Sequence, residues 1–289
     1  MECLFCLSGN ITNASYPRPT FFNNKIFSYR QCEDCGLIFI DPLPSRDDYD
    51  KMYAKSYHDE FYFKEITPDY TNWFGLFEKY GKEKRIIDYG CGDASFLKFF
   101  KQKGYDCTGV EYDPELVALL RKANPGISFY TVEEFWDPGQ QVKFNILFMG
   151  DVLEHLTAPA KFLKKLLEKI EPGGMIAAQG PVENNSNLAL GSRKYLSGIK
   201  TRVKGNSTAA HVPYHIFFSN AENQEAVFKQ TGMKTVYYKV FETNWPFPPR
   251  FTASPGTSLK YLIAKTSILL SKVLPGKMGN RFLYLGVKK

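Results

Sequence analysis

Asp88-Tyr89-Gly90-Cys91-Gly92-Asp93-Ala94-Ser95 decides the fold of this chain. The apolar run Arg85-Ile86-Ile87 enters it, and the helix-like run Phe96-Leu97-Lys98-Phe99-Phe100 leaves it. A strand, a Gly-x-Gly turn and a helix make a ligand loop, because glycines let the backbone turn sharply and approach a ligand closely. A loop built for a pyrophosphate offers it the positive end of the helix. Here Asp88 and Asp93 flank the turn, and Ser95 stands where a third glycine would fall. Two carboxylates repel a pyrophosphate and suit a cationic ligand. Glu111, closing the apparent strand 107–110, is placed to accept hydrogen bonds from both hydroxyls of a ribose.

Outward from this loop, strands and helices alternate. The pattern predicts strands at 85–89, 106–111, 127–131, 144–149 and 175–179, the last after a Pro-Gly-Gly turn, and helices at 93–103, 113–123 and 158–170. Alternating units of this kind imply a parallel sheet with helices on both faces and ligands at the carboxyl ends of the strands. Those ends carry Asp88, Glu111, Glu133 and Asp151.

Four segments resemble the class I S-adenosylmethionine (SAM)-dependent methyltransferases. They are Ile87-Asp88-Tyr89-Gly90-Cys91-Gly92, Val110-Glu111-Tyr112-Asp113, Asp151-Val152-Leu153-Glu154-His155-Leu156 and Glu171-Pro172-Gly173-Gly174. The likeness spans about residues 84–180, with a core similar to the ubiquinone-biosynthesis O-methyltransferases. It implies an α/β, Rossmann-like fold: a seven-stranded, mostly parallel sheet with helices on both faces, closed by an antiparallel pair at 233–240 and 281–287. It also implies SAM as cofactor, held by Asp88, Gly90, Cys91, Gly92, Glu111, Tyr112, Val132, Glu133, Gly150 and Asp151. Adenine falls near Thr131-Val132-Glu133, with Glu133 and Glu134 both open as its acceptor.

Cys3-x-x-Cys6 and Cys32-x-x-Cys35 are separated by 25 residues. Two such knuckles make a closed four-thiolate site, the arrangement of a structural zinc ion. The module around them is a small zinc ribbon. Its only basic residues up to Gln31 are Arg18, Lys25 and Arg30, a thin basis for docking nucleic acid. A similar zinc-binding segment precedes the core of sugar C-methyltransferases. The expected organisation is a zinc ribbon at 1–45, a helical cap and linker at 46–81, and a SAM-binding domain at 82–289 with a mobile substrate loop at 181–215 and an insertion at 241–280.

Three of the four histidines fall in two motifs, Asp151-x-x-Glu154-His155 and His211-Val212-Pro213-Tyr214-His215. Carboxylates and imidazoles at Asp151, Glu154, His155 and His211 could hold a second divalent ion. Metal-dependent RNA 2′-O-methyltransferases and some quinone-type O-methyltransferases resemble this pattern. The other uses are His155, His211 and Glu154 as base or acceptor ligand, or as plain wall. Tyr53 and Tyr57, one helical turn apart, are candidate site aromatics.

The net charge of +7 fits an anionic substrate and weak attraction to nucleic acid or anionic lipid. Aromatic content is 16%, enough to fill a core and line a cleft. No run of 18 uncharged apolar residues exists, so no transmembrane helix is expected. Met1-Glu2-Cys3 opens no signal pattern and the cysteines read as metal ligands, so a cytoplasmic location is expected. Residues 258–274 form an amphipathic helix with Leu259, Leu262, Ile263, Leu269, Leu270, Val273 and Leu274 on one side and Lys260, Lys265 and Lys272 elsewhere, suited to packing on the core or a dimer partner, or to a membrane surface.

The expected activity is SAM-dependent methyl transfer to oxygen or carbon of a small anionic acceptor, such as a nucleotide-linked sugar or glycan precursor. The alternatives are an RNA methyltransferase docking through the ribbon and a non-catalytic SAM-binding regulatory subunit. Oligomeric state is open.

Overall fold

The computed structural model describes residues 1–53, 69–81, 83–139, 143–204, 208–244, 247, 250–251, 254–274, 276 and 278–289. Tyr57 and most of the aromatic stretch 245–249 lie outside them.

The central sheet is built from β5 (Arg85–Tyr89), β6 (Asp106–Glu111), β7 (Ser128–Thr131), β8 (Phe144–Gly150), β9 (Ile170–Pro181), β12 (Lys234–Phe241) and β13 (Arg281–Val287). Its order is β12-β13-β9-β8-β5-β6-β7. The five strands from β9 to β7 run parallel, while β13 lies antiparallel between β9 and β12. Chain order reverses between β5 and β8, so the carboxyl ends of these two strands flank the crevice where such sheets bind ligands.

Strand residues alternate between two cores, as the two-residue period of a strand requires. Ile87, Leu147 and Met149 face one side, while Ile86, Ile146 and Phe148 face the other. The first side is covered by α6 (Pro159–Leu166) and α8 (Ala221–Lys229). The second is covered by α2 (Thr71–Tyr80), α3 (Ser95–Gln102) and α4 (Pro114–Ala123). There Phe96 of α3 stacks on Phe148 with ring centroids 3.8 Å apart.

The Pro-Gly-Gly sequence lies inside β9 instead of preceding it. It forms an irregularity between the Phe144–Ile170 and Ile146–Met175 pairings. Gly173 adopts φ +76°, and a Cβ on Gly174 would sit 2.9 Å from the Asn145 carbonyl oxygen. Glycine lets the strand pass without breaking.

The N-terminal sheet combines β1 (Ile11–Asn13), β2 (Thr20–Phe22), β3 (Lys25–Cys32) and β4 (Ile38–Asp41) with β10 (Ala209–Ala210) and β11 (Phe217–Phe218). Its two outer pairings therefore come from the segment after β9: β10 beside β2 and β11 beside β4. Phe5, Leu37 and Phe39 belong to the same buried cluster as Ile87 and Leu147. Helix α1 (Arg46–Met52) leads from the ribbon toward the strand ends, started by a Ser45–Asp48 capping box.

The expected loop at 181–215 is largely the helix α7 (Leu188–Lys204). Gly191 and Gly198 suggested breaks, but each costs only about 1 kcal/mol against alanine in a helix. The surrounding Leu, Ala, Arg and Lys carry the helix through. The remaining helices are α5 (Val132–Trp136) and α9 (Pro255–Val273). Among the described residues, no helix is long and apolar enough to cross a membrane.

Candidate active site

Two adjoining cavities open at the carboxyl ends of the parallel strands. The first, about 540 Å³, is lined by Gly90, Glu111, Tyr112, Val132, Gly150 and Asp151, with Tyr49, Tyr53 and His155 opposite. Gly90 turns the chain at the end of β5 with φ +80°, a conformation that favours glycine. A Cβ there would meet Val152 at 2.5 Å. The Glu111 carboxylate accepts from the backbone N–H of Gly92 at 2.9 Å and of Tyr112 at 2.7 Å, which fixes its direction at the cavity wall. Tyr112 donates to Asp50 of α1 at 2.8 Å, and Tyr49 donates to the His155 carbonyl at 2.5 Å. These bonds hold α1 across the mouth.

Asp88 is buried under the loop and does not line the cavity. Burial pushes its carboxyl well above the usual range, and Glu111 and Asp93 push the same way. Cys91 and Gly92 lie in the same loop, again outside the lining. Glu133 also stays out: it is 58% exposed and accepts from Arg46 at 3.3 Å. Glu134 is committed to the α5 capping box and to Arg121 at 2.6 Å.

The second cavity, about 480 Å³, is lined by Tyr29, Glu154, Glu183, Arg193, His211, His215 and Arg281, and shares Asp151 and His155 with the first. The shared wall is strongly constrained. Asp151 takes φ +57° and receives both arms of Arg281, at 2.5 and 2.7 Å. His155 closes the single 3-10 turn Leu153–His155 after β8. Its Nδ1 lies 2.8 Å from the Tyr214 carbonyl oxygen and 2.8 Å from the Tyr53 hydroxyl. A carbonyl only accepts, so Nδ1 carries the proton and Nε2 keeps its lone pair. Burial, helped by nearby His215, depresses the imidazole to about 4 and keeps it neutral.

His215 is the opposite case. Burial works to lower it, but hydrogen-bonded Glu183 overrides this and raises it to about 9. Burial likewise works to raise Glu183, and the His215 imidazolium holds it low. Glu154 is buried beside them, raised to about 8 by desolvation with Asp151 adding and His215 opposing.

Glu154, His155 and His215 each bring a donor atom within 4.8 Å of the others. Of the expected set, this brings together Glu154 and His155. His211 lines the cavity, but its Nδ1 is 3.0 Å from the Thr20 hydroxyl and it is not in the cluster. Asp151 is engaged by Arg281 and also stays out. Sequence reading passed over Glu183 and Arg281, because their partners lie far away in the chain.

A family described as "Methyltransferase domain" matches residues 58–238. The chain belongs to this methyltransferase family. This methyltransferase is 28% identical over 121 residues to the ubiquinone biosynthesis O-methyltransferase of Pseudomonas aeruginosa, covering 39% of this chain and 50% of that one. A Yersinia pestis protein of the same name is 26% identical over 99 residues, 32% of this chain and 41% of its own. The chain thus spans about half the length of the curated relatives it matches. Among solved structures, the 1,6-didemethyltoxoflavin-N1-methyltransferase of Burkholderia thailandensis superposes with a TM-score of 0.55 at 12% identity, over 94% of this chain and 100% of that one. A chain of the Haloferax volcanii complex between the Trm112 methyltransferase activator and a methyltransferase gives 0.52 at 13% identity, over 75% and 88%. Both show the fold.

The methyltransferase carries its second donor cluster in the ribbon. The four sulfurs of Cys3, Cys6, Cys32 and Cys35 lie within 4.8 Å of one another, with Cys3–Cys35 at 3.5 Å and Cys6–Cys32 at 3.6 Å. None is in a disulfide. Four thiolates on a tetrahedral zinc ion lie about 3.8 Å apart, given Zn–S bonds of about 2.3 Å. Asn223 donates to the Cys35 carbonyl and Asn184 to that of Gly36, both at 3.1 Å, which fastens this knuckle to the core.

Proposed function

We propose that this methyltransferase methylates a hydroxyl oxygen of a small anionic acceptor, such as a nucleotide-linked sugar or glycan precursor, with a divalent cation holding that hydroxyl. SAM fits the first cavity. The volume suits a ligand of that size, Glu111 is oriented as a ribose acceptor, and Gly90 allows close approach. The acceptor fits the second cavity, where Arg193 of α7 supplies positive charge. The observation that carries the reading is the wall common to both cavities, made by Asp151 and His155. Groups on that wall reach a donor on one side and an acceptor on the other.

When bound, SAM supplies an electrophilic methyl group. The chain must bring an oxygen in line with it and remove a proton. An imidazole held near 4 is a weak base at neutral pH, whereas a neutral imidazole with a fixed tautomer is a good metal ligand. In both His155 and His215 one ring nitrogen is hydrogen-bonded, to the Tyr214 carbonyl and to Glu183. That is the supporting shell of a metal-bound histidine. Glu154 completes a carboxylate and two imidazoles once a cation displaces the protons that Glu154 and the free side of His215 carry in its absence, so binding there would release protons. A divalent cation there would lower the pKa of the acceptor hydroxyl. The names of the curated relatives, O-methyltransferases, support oxygen as the methylated atom. In the ribbon, the four thiolates hold a structural zinc ion.

The test is S-adenosylhomocysteine release with nucleotide sugars and with total RNA, before and after mild chelation that leaves the four-cysteine site loaded. Expected are turnover with the sugars, loss on chelation and recovery with Mg²⁺ or Mn²⁺. Turnover with RNA alone, falling steeply with salt, overturns the acceptor. Turnover that survives chelation overturns the cation and returns His155 to the role of base.

A further inference from the structure

The strongest unexplained surface lies on α7 and α9, which pack against each other. The apolar stripe of α9 faces away from the protein. Leu259, Leu262, Leu269 and Val273 are each more than half exposed, at 60, 53, 63 and 69%. They recur at three-, seven- and four-residue steps, so they share one helix face. The side packed inward carries the small, buried residues Ala264 and Ser267. On α7, Tyr195 and Leu196 are also exposed. Contiguous apolar exposure on this scale marks an interaction site.

Charge points to the occupant. By sequence, α7 contains five basic residues and α9 three, and neither contains an acid. From Thr243 to Lys289 there is no Asp or Glu at all. Lys265 and Lys272 are exposed beside the leucine stripe. A two-fold contact between copies would set this face against itself. Lysines would then meet lysines with no carboxylate between them. An anionic lipid surface has no such conflict: leucines enter the acyl boundary while lysine stems reach back to the headgroups.

We propose that α7 and α9 form a docking face for an anionic membrane surface. The same α7 supplies Arg193 to the second cavity, so docking sets the mouth of that cavity near the headgroups. The proposal stands apart from the identity of the acceptor and is tested without it.

The experiment is flotation of the full, zinc-loaded chain with vesicles of phosphatidylcholine, with and without about 30% phosphatidylglycerol. Binding to the anionic vesicles is expected to exceed that to neutral ones by at least about tenfold and to weaken in about 0.5 M salt. Leu262→Asp with Leu269→Asp, and separately Lys265→Glu with Lys272→Glu, are expected to lose about tenfold or more in binding. S-adenosylhomocysteine affinity and the thermal melt of both variants stay at the parent values, which separates lost docking from lost folding. Equal binding to both vesicle types, no binding to either, or full binding by the leucine variant overturns the proposal. So does a dimer in sedimentation that the leucine variant dissolves, because the occupant is then a second copy.

Discussion

At the scale of single residues, the site turns on which nitrogen of each histidine faces the Glu154 cluster. The Tyr214 carbonyl settles this for His155, and Glu183 settles it for His215. Glu183 lines the second cavity, and in this scheme its part is to position His215. Glu183→Gln keeps the shape and removes the charge that orients the ring. The expected result is a 10- to 100-fold loss of Mn²⁺ affinity, the usual cost of losing a supporting partner, with S-adenosylhomocysteine affinity unchanged and activity recovered by excess metal. Titration calorimetry with each ligand checks it. A loss of both affinities together marks a merely structural role. The motif around His155 was legible, because Asp151-x-x-Glu154-His155 follows a strand end directly. The choice between His211 and His215 was not. In the structure the Thr20 hydroxyl holds His211 at 3.0 Å while Glu183 holds His215 beside Glu154, and both partners lie far off in the chain. Chain spacing alone does not say which one.

At the scale of elements, α9 shows what periodicity conveys and what it omits. The spacing of Leu259, Leu262 and Leu269 identifies a helix with an apolar face, and the helix is there. Which face meets the core depends on the partner surface, and here the inward residues are small. One inward contact is a buried carboxyl. Glu242, 8% exposed just beyond β12, accepts from the Ser267 hydroxyl at 3.1 Å. Its other oxygen has no hydrogen-bond partner among the described residues. Burial raises this group to about 7, with the Ser267 bond opposing. The native state therefore holds the proton more tightly than the unfolded chain, whose glutamates titrate near 4.5. Stability from this residue is complete below about 4.5 and is lost as pH rises through about 7. Glu242→Gln keeps the hydrogen bond and removes the ionisation. It is expected to add about 1–3 kcal/mol at pH 8 and close to nothing at pH 4, read by urea denaturation at the two pH values. An equal effect at both would show that the carboxyl is not being forced to ionise in place.

At the scale of the whole molecule, the ribbon and the methyltransferase core share their boundary. Five parallel strands and the glycine loop were legible because buried parallel strands are continuous apolar runs between turn signals. The joining of the two parts was not, because β10 and β11 are two-residue strands that pair across more than 170 positions of chain. Those pairings shape the second cavity. β11 begins two residues after His215 and pairs with β4, while the Thr20 hydroxyl holds the segment around His211. The first cavity instead rests on β5, β6 and β8, with only α1 and its approach reaching over from the ribbon side. A zinc ion at the four cysteines therefore supports the acceptor side more than the cofactor side. Cys32→Ser with Cys35→Ser is expected to abolish bound zinc by elemental analysis. Acceptor KM should then rise more than about tenfold, in line with the loss of an organising metal. S-adenosylhomocysteine affinity should fall by less than about threefold, because the bonds that shape the first cavity, Gly90 N–H to the Val110 carbonyl and Glu111 to the Gly92 and Tyr112 N–H groups, lie within the core. Equal losses on both sides would mean that the ribbon supports the core as a whole. An unchanged KM would mean that β4 and β11 keep their pairing without the metal.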